Sequence, residues 1–242
     1  MVSSAVKKNM LPYVWSACAH PCFFLGLYQF NNKYSQNTIQ AANGILALSE
    51  EELQKSPVRF LVSGWAFYPD ALLTPEEIRD ESHYMRYLSI GEQTNFSSPA
   101  TLSPYGCGTY QMTFFLPERK ETYALEIPEV FSAYNLYLDH DLILQMGEPA
   151  QGTPLVQNRM VTFHGGKPVT LTIAVSNYDH FYGGIVYPPA FGTMLAVNTT
   201  RGIRFAFCLF SCTVTFVCAL LSFYFSRRMK QKNTFLFGLI CL

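Results

Sequence analysis

Gly106 to Pro117 reads GCGTYQMTFFLP, and its side chains alternate: Tyr110, Met112, Phe114 and Leu116 are apolar, with Gln111 and Thr113 polar between them. A helix would place its apolar residues three and four apart, whereas a period of two puts them on one face of a strand. The pattern recurs in YALEI (Tyr123, Leu125, Ile127), YNLYL (Tyr134, Leu136, Leu138) and VTLTIAV (Val169, Leu171, Ile173, Val175). Turn formers separate these runs: Pro117-Glu118-Arg119-Lys120, Asp139-His140-Asp141 and Gly165-Gly166-Lys167-Pro168. Half-buried strands at such spacing predict a mainly β, antiparallel sandwich over residues 40–198. Little helix is expected there. Only Thr74 to Glu81 (TPEEIRDE) shows helix-start chemistry, with Thr74 as N-cap, Pro75 in the first position and acids in the first turn.

Outside this region the composition changes. The 242 residues carry 17 Lys+Arg and 17 Asp+Glu, a formal charge of zero, but all 17 acids lie between Glu50 and Asp179. Residues 40–198 hold eight cations against those 17 acids, a net −9, which leaves +9 for the flanks. A chain without a basic excess is a poor nucleic-acid binder, so no nucleic-acid partner is expected. Charged residues make up only 14% of the whole, well under the soluble average of about 25%, which points to lipid contact at the ends. Phe205 to Phe225 (FAFCLFSCTVTFVCALLSFYF) is an uncharged run of 21 residues; as a helix it reaches roughly 31 Å, the hydrocarbon thickness of a bilayer. It is expected to be a transmembrane helix. Arg227, Arg228, Lys230 and Lys232 follow it, against Arg201 and Arg204 ahead of it, so the carboxyl side is expected in the cytoplasm. Phe235 to Leu242 (FLFGLICL) then reads as the start of a second, truncated membrane helix.

At the amino end, Lys7 and Lys8 precede the broken apolar run Leu11 to Tyr28, and residues 1–36 read as a leader, a weak signal peptide or signal anchor. Export of the middle region agrees with cysteine use. Six of the seven cysteines lie in the apolar ends, and Cys107 stands alone in the sandwich, expected as a small buried residue, so there is no disulfide framework.

Four stretches carry a family resemblance: Gly64 to Pro69 (GWAFYP), Gly106 to Pro117, Tyr123 to Gly147 (YALEIPEVFSAYNLYLDHDLILQMG) and Val175 to Gly184 (VSNYDHFYGG). Together they resemble a galactose-binding-like jelly roll. A jelly roll followed by a membrane helix resembles the bacterial receptors named for seven transmembrane helices with diverse intracellular signalling modules, over about residues 40–242. The sandwich motifs alone also resemble the amino-terminal sugar-binding domain of β-galactosidase-type glycoside hydrolases. Asp139-His140-Asp141 departs from the Asn-Gly turn common in such domains, although Asp and His tolerate left-handed backbone. The receptor resemblance implies further membrane helices and an effector such as a histidine kinase or diguanylate cyclase beyond these residues.

Catalytic signatures are missing: GxGxxG, GxxxxGK[ST], HExxH and GxSxG do not occur, and the five histidines are scattered. No enzyme activity, cofactor or metal is expected of this chain; Asp139 and Asp141 offer two carboxylates where Ca²⁺ needs six or more oxygens. The best binding cluster is Asn177, Tyr178, Asp179, His180 and Tyr182, where rings that stack on C–H faces alternate with groups that bind hydroxyls. The same residues also suit plain loop architecture. Ser132, Tyr134 and Asn135 form a second candidate, and Tyr105 adds aromatic surface. The expected role is the extracytoplasmic sensor domain of a plasma-membrane receptor that takes a small polar ligand, such as a carbohydrate. The alternatives are a carbohydrate-binding domain of a membrane-tethered glycosidase and a ligand-free homodimerisation module.

Overall fold

The structure is a computed structural model that describes residues 25–26, 28–29, 32–34, 38–80, 82–91, 96, 103–118, 121–229 and 232–240. Most of the leader, the turn residues Arg119 and Lys120, and Lys230 and Cys241 lie outside the described residues. From residue 38 onward the described elements are, in order, β1 (Ile45–Ala47), α1 (Glu50–Lys55), β2 (Val58–Phe60), β3 (Trp65–Pro69), α2 (Pro75–Asp80), β4 (Arg86–Leu88), β5 (Gly106–Phe115), β6 (Thr122–Ile127), β7 (Ala133–Leu138), β8 (Asp141–Met146), β9 (Arg159–His164), β10 (Val169–Asn177), β11 (Ala190–Thr193), α3 (Met194–Met229) and α4 (Lys232–Ile240).

They form a jelly-roll β-sandwich of two sheets with a long apolar helix behind it. The larger sheet has the order β4-β3-β5-β10-β7-β8, and the smaller β2-β11-β6-β9. Every pairing is antiparallel except one: β1 runs parallel to β5, with Leu46 beside Phe114. The sandwich is antiparallel as expected, and β1 adds a single parallel pair to it. The alternation seen in sequence faces Tyr110, Met112, Phe114, Tyr134, Leu136, Leu171 and Ile173 into the core, all buried. From the smaller sheet, Tyr123, Leu125, Phe163 and Phe191 meet them. Phe191 lies at the centre of an aromatic cluster, 5.8 Å from Tyr123 with the rings nearly parallel, 6.1 Å from Phe163, and 5.0 Å from Phe114 of the opposite sheet.

Two local expectations are corrected. Helix-start chemistry is not confined to Thr74. Ser49 caps α1 through a full capping box, its Oγ accepting from Glu52 N–H and its N–H donating to the Glu52 carboxylate. The buried Arg59 guanidinium closes the other end, donating to the Glu52 and Ser56 carbonyls at 3.2 and 3.1 Å. Second, β10 does not stop at Val175, because Ser176 and Asn177 still pair with Cys107 and Gly106. The helix at Thr74 forms as expected: the Thr74 N–H donates to Glu77 Oε2 at 2.7 Å and Thr74 Oγ1 accepts from Glu77 N–H. The hairpin at Asp139 also holds. Asp139 adopts φ 55°, and its carboxylate accepts from Thr170 N–H at 2.8 Å, which stabilises the left-handed turn.

α3 begins at the residue after β11, with the Ala196 N–H donating to Thr193 Oγ1 at the seam. Its first turns pack on β2, β6 and β11 and bury Val197. From Phe205 onward most of its large side chains are exposed, and the helix is long and apolar enough to cross a membrane. α4 folds back on it where Ala219, Ser222 and Ser226 form a buried, small-residue face, the kind of surface that lets two helices approach closely in lipid. Gly238 sits over Ser222 and Phe223, where a Cβ would come within 3.2 Å and 2.9 Å of them.

Replacing Phe191 by alanine removes the ring shared by both sheets. The expected loss is about 3–5 kcal/mol, read as a lower midpoint in denaturant for the full chain in detergent, with Phe191→Leu losing less.

Candidate functional site

The loop after β10 is built around Asn177. Its side chain is fully buried, and its amide nitrogen donates to the Pro104 carbonyl at 2.8 Å and the His180 carbonyl at 2.6 Å. Its Oδ1 accepts from His180 N–H at 3.0 Å. One side chain thus satisfies three backbone groups and ties the Ser103–Tyr105 segment to the 177–184 loop. Ser132, also buried, accepts from Gly184 N–H at 3.2 Å and joins the loop to β7. Gly184 has φ +78°, and a Cβ there would run into the Tyr110 hydroxyl, so the bend requires glycine.

On this frame His180 lies flat against Phe131, with ring centroids 4.5 Å apart and 9° between planes. Its Nδ1 is 3.0 Å from Tyr182 N–H and accepts from it, which assigns the neutral ring's proton to Nε2 and leaves that N–H as a donor. Tyr182 packs 5.6 Å from His180 and 6.0 Å from Phe131, and Phe181 stands edge-on to Tyr182. Phe181 is 74% exposed and Tyr182 44%, and Asp179 is exposed beside them. The rim therefore offers exposed rings, a carboxylate and an imidazole N–H on a rigid support, a surface suited to stacking on and hydrogen-bonding a hydroxylated ligand. Phe131, the platform under His180, had no alternation or motif to mark it in the sequence.

The other predicted residues separate. Tyr105 is exposed at the same end, its N–H held by Ser103 Oγ. Tyr178 leaves the rim for the outer face of the larger sheet, where it packs on Gly152 and shares a hydrogen bond with Cys107. Burial, with Asp70 nearby, pushes the Cys107 thiol above its usual range; the residue is half-buried rather than buried as expected. Asn135 also faces outward. Its amide reaches Tyr137 Oη at 3.5 Å, and its Oδ1 is buried without a hydrogen-bond partner. It ends a polar row in which the Tyr68 hydroxyl donates to Gln111 Oε1 and Gln111 Nε2 donates to Thr172 Oγ1. α2 is tethered over this face, from Leu73 N–H on Thr109 Oγ1 to Glu76 on His140 Nδ1 at 2.8 Å. Tyr134 is in the core, where its hydroxyl is buried without a partner, and desolvation pushes its pKa up to about 12. Among the described residues, no three His, Cys, Asp or Glu side chains gather as a metal site would need.

No family model matches the chain, and no curated protein matches it. Solved structures do. They include a β-glucuronidase from Faecalibacterium prausnitzii, at 17% identity and TM-score 0.40, covering 57% of this chain and 32% of that one. A glycosyl hydrolase family 2 member from Bacteroides cellulosilyticus matches at 11% identity and TM-score 0.46, covering 57% and 21%. A β-glucuronidase from Ruminococcus gnavus matches at 12% identity and TM-score 0.41, covering 63% and 30%. The chain thus spans less than a third of the length of each of these proteins.

Tyr110, like Tyr134, is buried and pushed up to about 12 by desolvation. Below the ordinary tyrosine pKa near 10, folded and unfolded chains both keep these protons; between about 10 and 12 only the folded chain does, so stability falls as pH rises. Alkaline unfolding followed by circular dichroism is expected to begin in that window, and Tyr134→Phe is expected to shift it to higher pH.

Proposed function

We propose that the sandwich is the extracytoplasmic input module of a bacterial membrane signalling receptor, and that it takes a small polar ligand, a carbohydrate by preference, at the rim formed by Phe131, Asp179, His180, Phe181 and Tyr182. In this reading α3 crosses the plasma membrane with Arg227 and Arg228 on the cytoplasmic side. The observation that carries it is the seam at Thr193 and Met194. β11 pairs with both β2 and β6 inside the smaller sheet and passes into α3 with no intervening residue. A domain that only tethered a sugar binder to a surface would have no need of a rigid joint. A sensor does, because the ligand acts by preferring one arrangement of the sheet and its helix over another.

The rim residues divide the work. Asn177 and Ser132 hold the loop, the exposed rings of Phe181 and Tyr182 supply stacking area, and His180 Nε2–H and Asp179 supply a donor and an acceptor for hydroxyl groups. The order of sandwich and helix supports the receptor reading through the family resemblance carried by GWAFYP, GCGTYQMTFFLP and VSNYDHFYGG.

The full chain in detergent, screened against a glycan array and then titrated with the best saccharide, is expected to bind at the rim. Tyr182→Ala and Asp179→Asn should each weaken binding about tenfold, roughly one good contact. Absence of binding to any saccharide or small polar compound, together with concentration-dependent dimerisation, would replace this reading with a dimerisation module.

A further inference from the structure

Where α3 leaves the sandwich, a cavity of about 290 Å³ is lined by Lys33, Glu126, Glu129, Arg201, Arg204 and Phe205, among others. Its charged residues come from distant parts of the chain: Lys33 from the segment ahead of the sandwich, Glu126 from β6, Glu129 from the loop behind it, and both arginines from one face of α3. Among the described residues the groups are only loosely paired. Arg201 Nε is 4.0 Å from Glu126 Oε1, the outer limit of an ion pair. Arg204 lays its guanidinium over the Phe60 ring at 5.0 Å, and Lys33 sets its ammonium over Tyr187 at 5.7 Å. A guanidinium stacked on a ring keeps its in-plane N–H groups for an oxygen acceptor. Burial first, and Arg204 next, hold the Lys33 ammonium below its ordinary pKa, while Glu129 and Glu126 oppose the shift.

Three cations and two carboxylates leave one positive charge in excess, and a ligand with both signs suits them, its anion for the arginines and lysine and its cation for the glutamates. The cavity's position narrows the choice. Arg204 directly precedes Phe205, the first residue of the uncharged run, and Phe205 is 71% exposed. If α3 spans the bilayer, as proposed above, this cavity lies at headgroup level with Phe205 beside the first acyl carbons. We infer that the joint between the sandwich and α3 is a binding site for a zwitterionic phospholipid headgroup, phosphate on Arg201, Arg204 and Lys33 and primary ammonium on Glu126 and Glu129. Phosphatidylethanolamine carries those groups two carbons apart. Occupied, the site would bond the sandwich to the lipid surface and hold the first turns of α3 to β6.

The test uses the full chain in detergent, titrated with phosphatidylethanolamine, phosphatidylcholine, phosphatidylglycerol and inorganic phosphate, with retention read by native mass spectrometry. Wild type is expected to retain one phosphatidylethanolamine in preference to the other lipids, and Lys33→Gln with Arg204→Gln should cut that retention about tenfold or more, the weight of a charge-assisted hydrogen bond. Glu126→Gln should shift the preference to phosphatidylglycerol, because the carboxylate selects the ammonium. Circular dichroism of each variant must match wild type. Equal retention of all three lipids by wild type and variants would overturn the site, and so would inorganic phosphate binding as tightly as the lipid, which would make this a free-anion site. Alkaline carbonate extraction separates the two readings. A chain that stays in the membrane pellet yet shows no lipid preference refutes the headgroup site alone, whereas a chain released to the supernatant refutes the spanning helix and the site with it.

Discussion

Four aromatic rings hold the two sheets together. Phe114 comes from the larger sheet; Tyr123, Phe163 and Phe191 come from three adjacent strands of the smaller one, and Phe191 contacts all the others. Each ring buries a large apolar area, and none can be satisfied by its own sheet. Close packing at this point fixes where β11 runs, and β11 is the strand from which α3 departs. The position of the helix relative to the sandwich is thus set inside the core. The rim is fixed by the other sheet: β10 extends to Asn177, whose amide holds the loop that presents His180, Phe181 and Tyr182.

The rim and the cavity beside α3 make different use of polar groups, although both lie at the end of the sandwich where β6 stops and β7 and β11 begin. At the rim they are consumed internally, so that the exposed surface is mainly aromatic with a few oriented donors and acceptors. At the joint with α3 they remain only loosely paired, spread over a cavity and resting on ring faces. A rim built this way is held by its own hydrogen bonds, and a preorganised surface lowers the ordering cost of any contact made on it.

Much of this was legible in the sequence, for reasons that can be named. β5, β6, β7 and β10 are six to ten residues long, and each sets its large apolar side chains on one face, so a period of two is visible. The helix at Thr74 and the hairpin at Asp139 are marked by residues whose side chains bond their own backbone. β2, β4 and β11 are three or four residues long, too short for periodicity to register. α1 escaped because only Leu53 of its six residues is buried, although Ser49-Glu50-Glu51-Glu52 spelled a capping box. At the site, sequence located the 177–184 cluster but not the division of labour within it. Nothing local distinguishes a buried Asn177 from an exposed Asp179, or links His180 to Phe131. The cavity at the joint depends on Lys33 meeting Arg204 across the whole domain, which only the fold brings about.

The seam between β11 and α3 also fixes a phase. Each residue in an α-helix turns it by about 100°, so inserting a single residue after Thr193 would carry Arg201 and Arg204 a quarter-turn or more away from Glu126, and α4, which follows α3 in the chain, would turn with it. Four inserted residues would nearly restore the original face while lifting it by about one turn. The sandwich and the helix therefore behave as one threaded part, in which chain length at the seam is converted into rotation, and the register at Thr193 and Met194 is as much a part of the interface as the side chains that line it.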